Sequence, residues 1–168
     1  MSQVVKLILS LTIISLFGDV SQAKDGEYGD WVLHCKLSDE LCILSQLAVV
    51  ETDGERLMEL NIPLSKNGQF GSNKVEFVLP LGLSLQKPPK LYIANQFMSE
   101  LSVNVCLADG CYYSMPLSQV LLERFLGMFS GYVKIWTHRG EEIDIPISGI
   151  GTRAAHNAFK AEYLNNTN

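Results

Sequence analysis

The chain has 168 residues and a formal net charge of −5 at pH 7, with 13 Lys plus Arg against 18 Asp plus Glu. The basic residues are scattered and form no stripe, whereas a phosphate backbone is held through grouped Lys and Arg, so no nucleic-acid partner is expected. The length suits one domain with a single core.

Lys6 gives a short positive start, Leu7 to Phe17 is an apolar run, and Ser21-Gln22-Ala23 offers small residues at a cleavage site. This pattern predicts a secretory signal over residues 1–23 and a mature domain over 24–168. The run is too short to cross a ~30 Å hydrocarbon layer as a helix, and no later run approaches about 18 apolar residues. No cysteine follows the cleavage point to carry a lipid anchor. The expectation is an exported protein, periplasmic or secreted, with no membrane span in the mature chain.

Residues 24–30 read as a polar lead-in, followed by short strands separated by turn residues. Strands are predicted at Trp31 to Cys35, Cys42 to Val50, Arg56 to Ile62 (closed by Pro63), Val75 to Leu79, Leu91 to Ala94, Leu101 to Leu107 and Cys111 to Met115. Ser65 to Gly68 reads as a turn, and Gln86-Lys87-Pro88-Pro89 as a break after the apolar Leu79 to Leu85. Ser118 can cap a helix over Gln119 to Met128, with Val120, Leu121, Leu122, Phe125 and Leu126 on one side. A second helix is predicted from Thr152 to Tyr163, with Ala155, Ala158, Phe159 and Leu164 near helical spacing and His156 on a solvated face beside Arg153 and Lys160. Leu164 onward is a frayed tail. Repeated short strands with regular breaks predict a mainly β fold, an antiparallel sandwich or barrel.

Four cysteines fall into two close pairs. A Cys35–Cys42 bridge would close one hairpin, placing Leu33 opposite Leu44 and Trp31 opposite Gln46. A Cys106–Cys111 bridge would cap another, pairing Val105 with Tyr112 and Asn104 with Tyr113. Each short loop is worth roughly 2–2.5 kcal/mol in the chain-entropy model, while crossed pairing would close longer loops worth about 4 kcal/mol. Four cysteines allow three connectivities, and spacing alone leaves the crossed ones open. Local pairing is favoured because both hairpins bring their own cysteines together. The spacings fit neither a catalytic Cys-x-x-Cys nor a zinc site, and His34 points to the face opposite Cys35.

Tyr132 to His138 and Glu142 to Ile147 form the clearest hairpin. With Arg139-Gly140-Glu141 at the turn, Val133 pairs with Ile147, Ile135 with Ile145 and Thr137 with Ile143. The aliphatics then share one face. The other face carries Tyr132, Lys134, Trp136, His138, Glu142 and Asp144. Aromatics beside charges are typical interface anchors, so Tyr132, Lys134, Trp136 and His138 form a candidate partner-binding face, although a half-solvated strand face explains them as well. No nucleophile elbow, phosphate loop or metal-binding helix occurs, and Gly149-Ile150-Gly151 lacks the third glycine of a dinucleotide loop. No catalytic, metal or cofactor-binding residue is therefore expected.

The chain resembles the invasion-associated locus B (IalB-like) family of exported bacterial proteins. The resemblance rests on Gly29-Asp30-Trp31 with Cys35, on Cys42 with Gln46, and on Leu79-Pro80-Leu81-Gly82-Leu83. It continues through Cys106 with Gly110-Cys111 and ends at Ile145-Pro146-Ile147-Ser148 with Gly151 and Ala154. It departs at Gly149 and Thr152, where the family has an aliphatic and an aromatic residue. The resemblance implies an Ig-like antiparallel β-sandwich with one or two short helices toward the C-terminal half, exported to the periplasm or beyond and associated with invasion or virulence. It implies no catalytic residue. The expected function is a disulfide-stabilised, non-enzymatic module that binds a protein of the envelope or the host. The alternative is an envelope enzyme or an inhibitor of a cell-wall hydrolase, using the 106–111 hairpin as its protruding loop.

Overall fold

A computed structural model describes residues 25–36, 41–50, 54–65 and 74–163. The expected signal segment, the turn beyond Ser65 and the C-terminal tail lie outside these residues. The chain runs β1 (Gly26–Tyr28), β2 (Trp31–Lys36), β3 (Leu41–Val49), β4 (Arg56–Ser65), β5 (Lys74–Leu79), β6 (Lys90–Ile93), β7 (Gln96–Glu100), β8 (Ser102–Leu107), β9 (Gly110–Pro116), α1 (Gln119–Gly127), β10 (Ser130–Trp136), β11 (Glu142–Ser148) and α2 (Thr152–Tyr163). A seven-stranded sheet has the order β1-β2-β3-β4-β5-β9-β8, and a four-stranded sheet the order β11-β10-β6-β7. All ladders are antiparallel. The fold is the expected mainly β sandwich with two short helices.

Alternation along the strands builds the core. Met58, Leu60, Ile62 and Leu64 of β4 turn inward, as do Val133 and Ile135 of β10 and Ile145 and Ile147 of β11. Trp31, Phe77 and Phe125 are the largest fully buried side chains among the described residues. Burying each such side chain contributes about 1.5–3 kcal/mol, and this is the main drive to stack the two sheets. Ser118 caps α1, its hydroxyl accepting from the Leu121 N–H at 3.1 Å. Leu121, Leu122, Phe125 and Leu126 are buried, whereas Val120, expected with them, is 70% exposed. It lies 100° back around the helix from Leu121, outside the apolar stripe. In α2 the buried stripe is Thr152, Ala155 and Phe159, and it draws in His156, which was expected in solvent. The His156 ring lies 6.2 Å from that of Phe159, and burial pushes its pKa below the ordinary histidine value.

Both bridges form locally, Cys35 with Cys42 and Cys106 with Cys111. Leu33 faces Leu44 as expected, and Val105 faces Tyr112. Tyr113, however, pairs with Val103, because a bulge leaves Asn104 outside the ladder. Four other expectations shift. The lead-in contains β1, which pairs with β2. β4 continues through Pro63, which sits opposite Ile43. The β4–β5 ladder covers only Glu59 to Asn61, so Pro63 has a strand neighbour on one side only and its missing N–H is tolerated. β7 is an additional strand, joined to β6 through Ala94 and Asn95, both at positive φ (49° and 60°). Two such residues make the two-residue hairpin turn, but alanine is a poor sign of it.

The β10–β11 register also shifts by two residues. Val133 pairs with Ile145, Ile135 with Ile143 and Gly131 with Ile147. The three-residue loop is His138-Arg139-Gly140, closed by Thr137 N–H to Glu141 O at 2.9 Å. Gly140, at φ +87°, takes the left-handed third position that this turn requires, which moves the loop back by one residue. A shift of two preserves the side-chain faces.

The two sheets are tied at one end. Gln46 of β3 is 5% exposed and grips the backbone of Ser148 at the end of β11. Its Oε1 accepts from the Ser148 N–H at 2.9 Å, and its Nε2 donates to the Ser148 carbonyl at 3.2 Å. The same carbonyl accepts from the Trp31 indole at 2.8 Å. Asp30 N–H donates to Ile150 O at 3.1 Å, bringing the chain after β1 against the lead into α2. Gly151, at φ +98°, passes so close that a Cβ there would lie 1.7 Å from Tyr28 O. A Cβ at Gly149 would lie 2.0 Å from Met128 O, so this close backbone approach needs glycine. Thr152 fills its buried position and donates to Gly149 O at 3.0 Å.

Gln46→Leu keeps the volume but leaves the Ser148 N–H without its partner. It should lower unfolding stability in urea by about 1–3 kcal/mol. Replacing Cys35 and Cys42 together by Ala should cost about 2 kcal/mol in the same assay, the amount expected for so short a loop.

Candidate functional site

The outward face of the four-stranded sheet gathers the residues most able to make contacts. β10 alternates Val133 and Ile135 inward with Tyr132, Lys134 and Trp136 outward. β6 does the same with Leu91 and Ile93 inward and Lys90 and Tyr92 outward. The β10–β6 ladder sets Tyr132 opposite Tyr92, and their rings stack at 4.8 Å with a 9° interplanar angle. Phe97 of β7, 53% exposed, meets Tyr92 edge-on at 5.8 Å. The Lys87 and Lys90 ammonium groups lie 5.8 Å and 5.9 Å from the centre of the Trp136 ring, within cation–π range.

Two of the lysines on this face are paired with carboxylates. Lys134 forms ion pairs with Glu142 and, at 3.1 Å, with Asp144. Donating hydrogen bonds to these two carboxylates raises the Lys134 pKa above the ordinary lysine value. The hydrogen bond from Lys134 in turn holds Glu142 below the usual carboxylate range. Lys90 pairs with Glu100 at 3.3 Å. The face thus presents four aromatic rings among lysines and acids of both signs.

Of the residues singled out from the sequence, Tyr132, Lys134 and Trp136 share this face. His138 does not join them. It sits in the hairpin loop, where its Nδ1 lies 3.2 Å from Gly82 O and its backbone N–H donates to the same oxygen at 2.9 Å. The Leu79 to Leu85 run therefore works as a partner for the end of β10, with Leu83 bridging to Thr137 and Ser84 N–H donating to Trp136 O at 2.8 Å. His138 lines a cleft of about 290 Å³ walled by Leu57, Leu83, Ile135, Ile143 and Ile145. Glu142 and Asp144 are committed to Lys134, so neither is joined to His138 as an acid–base pair. Tyr92, Phe97, Lys87 and Lys90 were not expected on this face. Tyr92 was legible, since it alternates with Leu91 and Ile93. Phe97 was hidden with its strand.

The tip of the 106–111 hairpin is braced against β4. Arg56 donates to Asp109 O and lies 3.9 Å from its carboxylate, to which the Tyr112 hydroxyl donates at 2.7 Å. Among the described residues no group of three His, Cys, Asp or Glu is placed to hold a metal ion, and no helix is long and apolar enough to cross a membrane.

A model of the family described as "Invasion associated locus B (IalB) protein" matches residues 31–160. No curated protein sequence matches the chain. Among solved structures, the crystal structure of invasion associated protein b from Bartonella henselae is similar at a TM-score of 0.69 and 15% identity, covering 83% of this chain and 97% of that one. At that identity the likeness is one of fold.

Glu142 supplies a pH test of this face. Its carboxyl titrates lower when folded than when unfolded, so its stabilisation is complete above the unfolded value and is lost as pH falls through the folded one. A carboxylate-detected NMR titration should find Glu142 below the ordinary range in the native protein. Lys134→Met should return it toward that range and flatten the acid limb of stability that Glu142 contributes.

Proposed function

The chain belongs to the invasion associated locus B family, and we propose that it is a non-enzymatic module that docks a protein partner through the outward face of its four-stranded sheet. Two disulfides and family membership mark an extracytoplasmic protein. The finer location we infer is the periplasm or the cell exterior, reached through the signal segment read at residues 1–23, with a role in invasion or virulence.

One observation carries the reading: Tyr92, Phe97, Tyr132 and Trp136 stand together on the outward face of the four-stranded sheet, Phe97 exposed and the other three partly so. Tyrosine and tryptophan dominate the energetics of protein interfaces because they bury large, stiff surfaces at low entropic cost. The cross-strand stack holds Tyr132 in place before any partner arrives, which lowers the ordering cost of binding. Lys134 is likewise fixed by its two carboxylates. The rim is polar and charge-balanced, the composition of a transient interface.

Crosslinking in cells followed by mass spectrometry would identify the protein touched. Trp136→Ala and Tyr132→Ala should each abolish its capture, with loss of roughly tenfold or more in affinity for a central aromatic anchor. Val120→Ala, on the solvent side of α1, should leave capture intact. Equal capture by all three variants would remove the proposed face.

A further inference from the structure

The four sheet edges of this sandwich are not alike. β1 is three residues long and lies against α2. β11 exposes Glu142, Asp144 and Pro146. β7 ends in Glu100, which is paired with Lys90. Short length, charge and proline are the usual guards against strand addition. β8 has none of them. Its sequence is Ser-Val-Asn-Val-Cys-Leu, every residue is exposed, and among the described residues it has a strand neighbour on one side only. Val103, Val105 and Leu107 are 49%, 47% and 53% exposed, on a strand whose neighbour β9 buries Tyr113 and Met115 almost completely.

We propose that β8 pairs antiparallel with β8 of a second copy of this chain, joining two seven-stranded sheets across a two-fold axis. An exposed edge presents unpaired N–H and C=O groups whose complement is another strand. Antiparallel edge pairing is itself two-fold symmetric, so the same strand serves on both sides. β8 carries no charge, so self-pairing sets no like charges opposite each other, the feature that would otherwise oppose it. Beyond its ends, Glu100 is held by Lys90 and Asp109 by Arg56, so neither brings an unmatched carboxylate to the seam. Val105 and Leu107 share a face with Tyr112, and the aliphatic side chains of the second copy would lie across from them. The bulge at Asn104 is the one protective device on this strand. It interrupts the ladder to β9, which resumes at Val105 and runs to Leu107, where the Cys106–Cys111 bridge fixes it.

The purified, disulfide-bonded protein should sediment at twice the chain mass at high concentration and dissociate on dilution. Val105→Lys should sediment as a monomer whose melting curve matches that of the dilute, monomeric wild type, and Val105→Thr should still dimerise. In native hydrogen exchange, the amides of residues 102–107 should gain protection as concentration rises, a readout that needs no variant. A wild-type protein that stays monomeric throughout, or a dimer that survives Val105→Lys with no added protection at 102–107, overturns the proposal. Neither result bears on the aromatic face, which lies on the other sheet.

Discussion

The sandwich depends on one buried amide. Two stacked sheets can slide over each other as long as only aliphatic contacts join them, because hydrophobic attraction has no preferred direction. Gln46 removes that freedom. Its side chain presents a donor and an acceptor to the two backbone groups of Ser148, much as a neighbouring strand would, and so fixes the position of β11 relative to β3. The Trp31 indole uses the second lone pair of the Ser148 carbonyl. These groups are buried together, and each would be costly if left alone, so the arrangement forms as a set.

That constraint explains which residues carry the family resemblance. Gly29-Asp30-Trp31, Gln46, Ser148 and Gly151 are far apart in sequence and meet at this one end of the fold. Gly151 leaves room for the Tyr28 carbonyl, and Asp30 holds Ile150 through the backbone. Leu79 to Leu83 lies beside the end of β10 and receives His138. This part of the resemblance therefore lies where the sheets are joined, while Cys35, Cys42, Cys106 and Cys111 belong to the two hairpin bridges. The outward aromatic face lies apart from it, on the opposite side of the small sheet from the core.

Much of the architecture was legible because period-two alternation and cysteine spacing are local signals. Leu33 facing Leu44, the Ser118 cap and both ends of α2 follow from nearest neighbours in sequence. What escaped depended on backbone conformation or on long-range pairing. The Ala94-Asn95 turn uses positive φ without a glycine, which concealed β7 and with it Phe97. The β10–β11 register turned on whether Gly140 occupied the second or the third loop position. The Asn104 bulge changed the partner of Tyr113 without leaving a mark in composition. His156 shows the same limit on a helix: its own element reads as solvated on that side, and only the packing around Phe159 makes the position interior. The candidate face was half legible, since β10 announced its own aromatics but not those that β6 and β7 would place beside them.

The two bridges span seven and five positions of sequence, and neither encloses the other. If the chain crosses a membrane N-terminus first, Cys35 meets Cys42 before Cys106 has emerged, and Cys106 then has only one unused mate. Oxidation in that order would yield the native set directly. The spacing of the cysteines makes the direction of synthesis itself a proofreader.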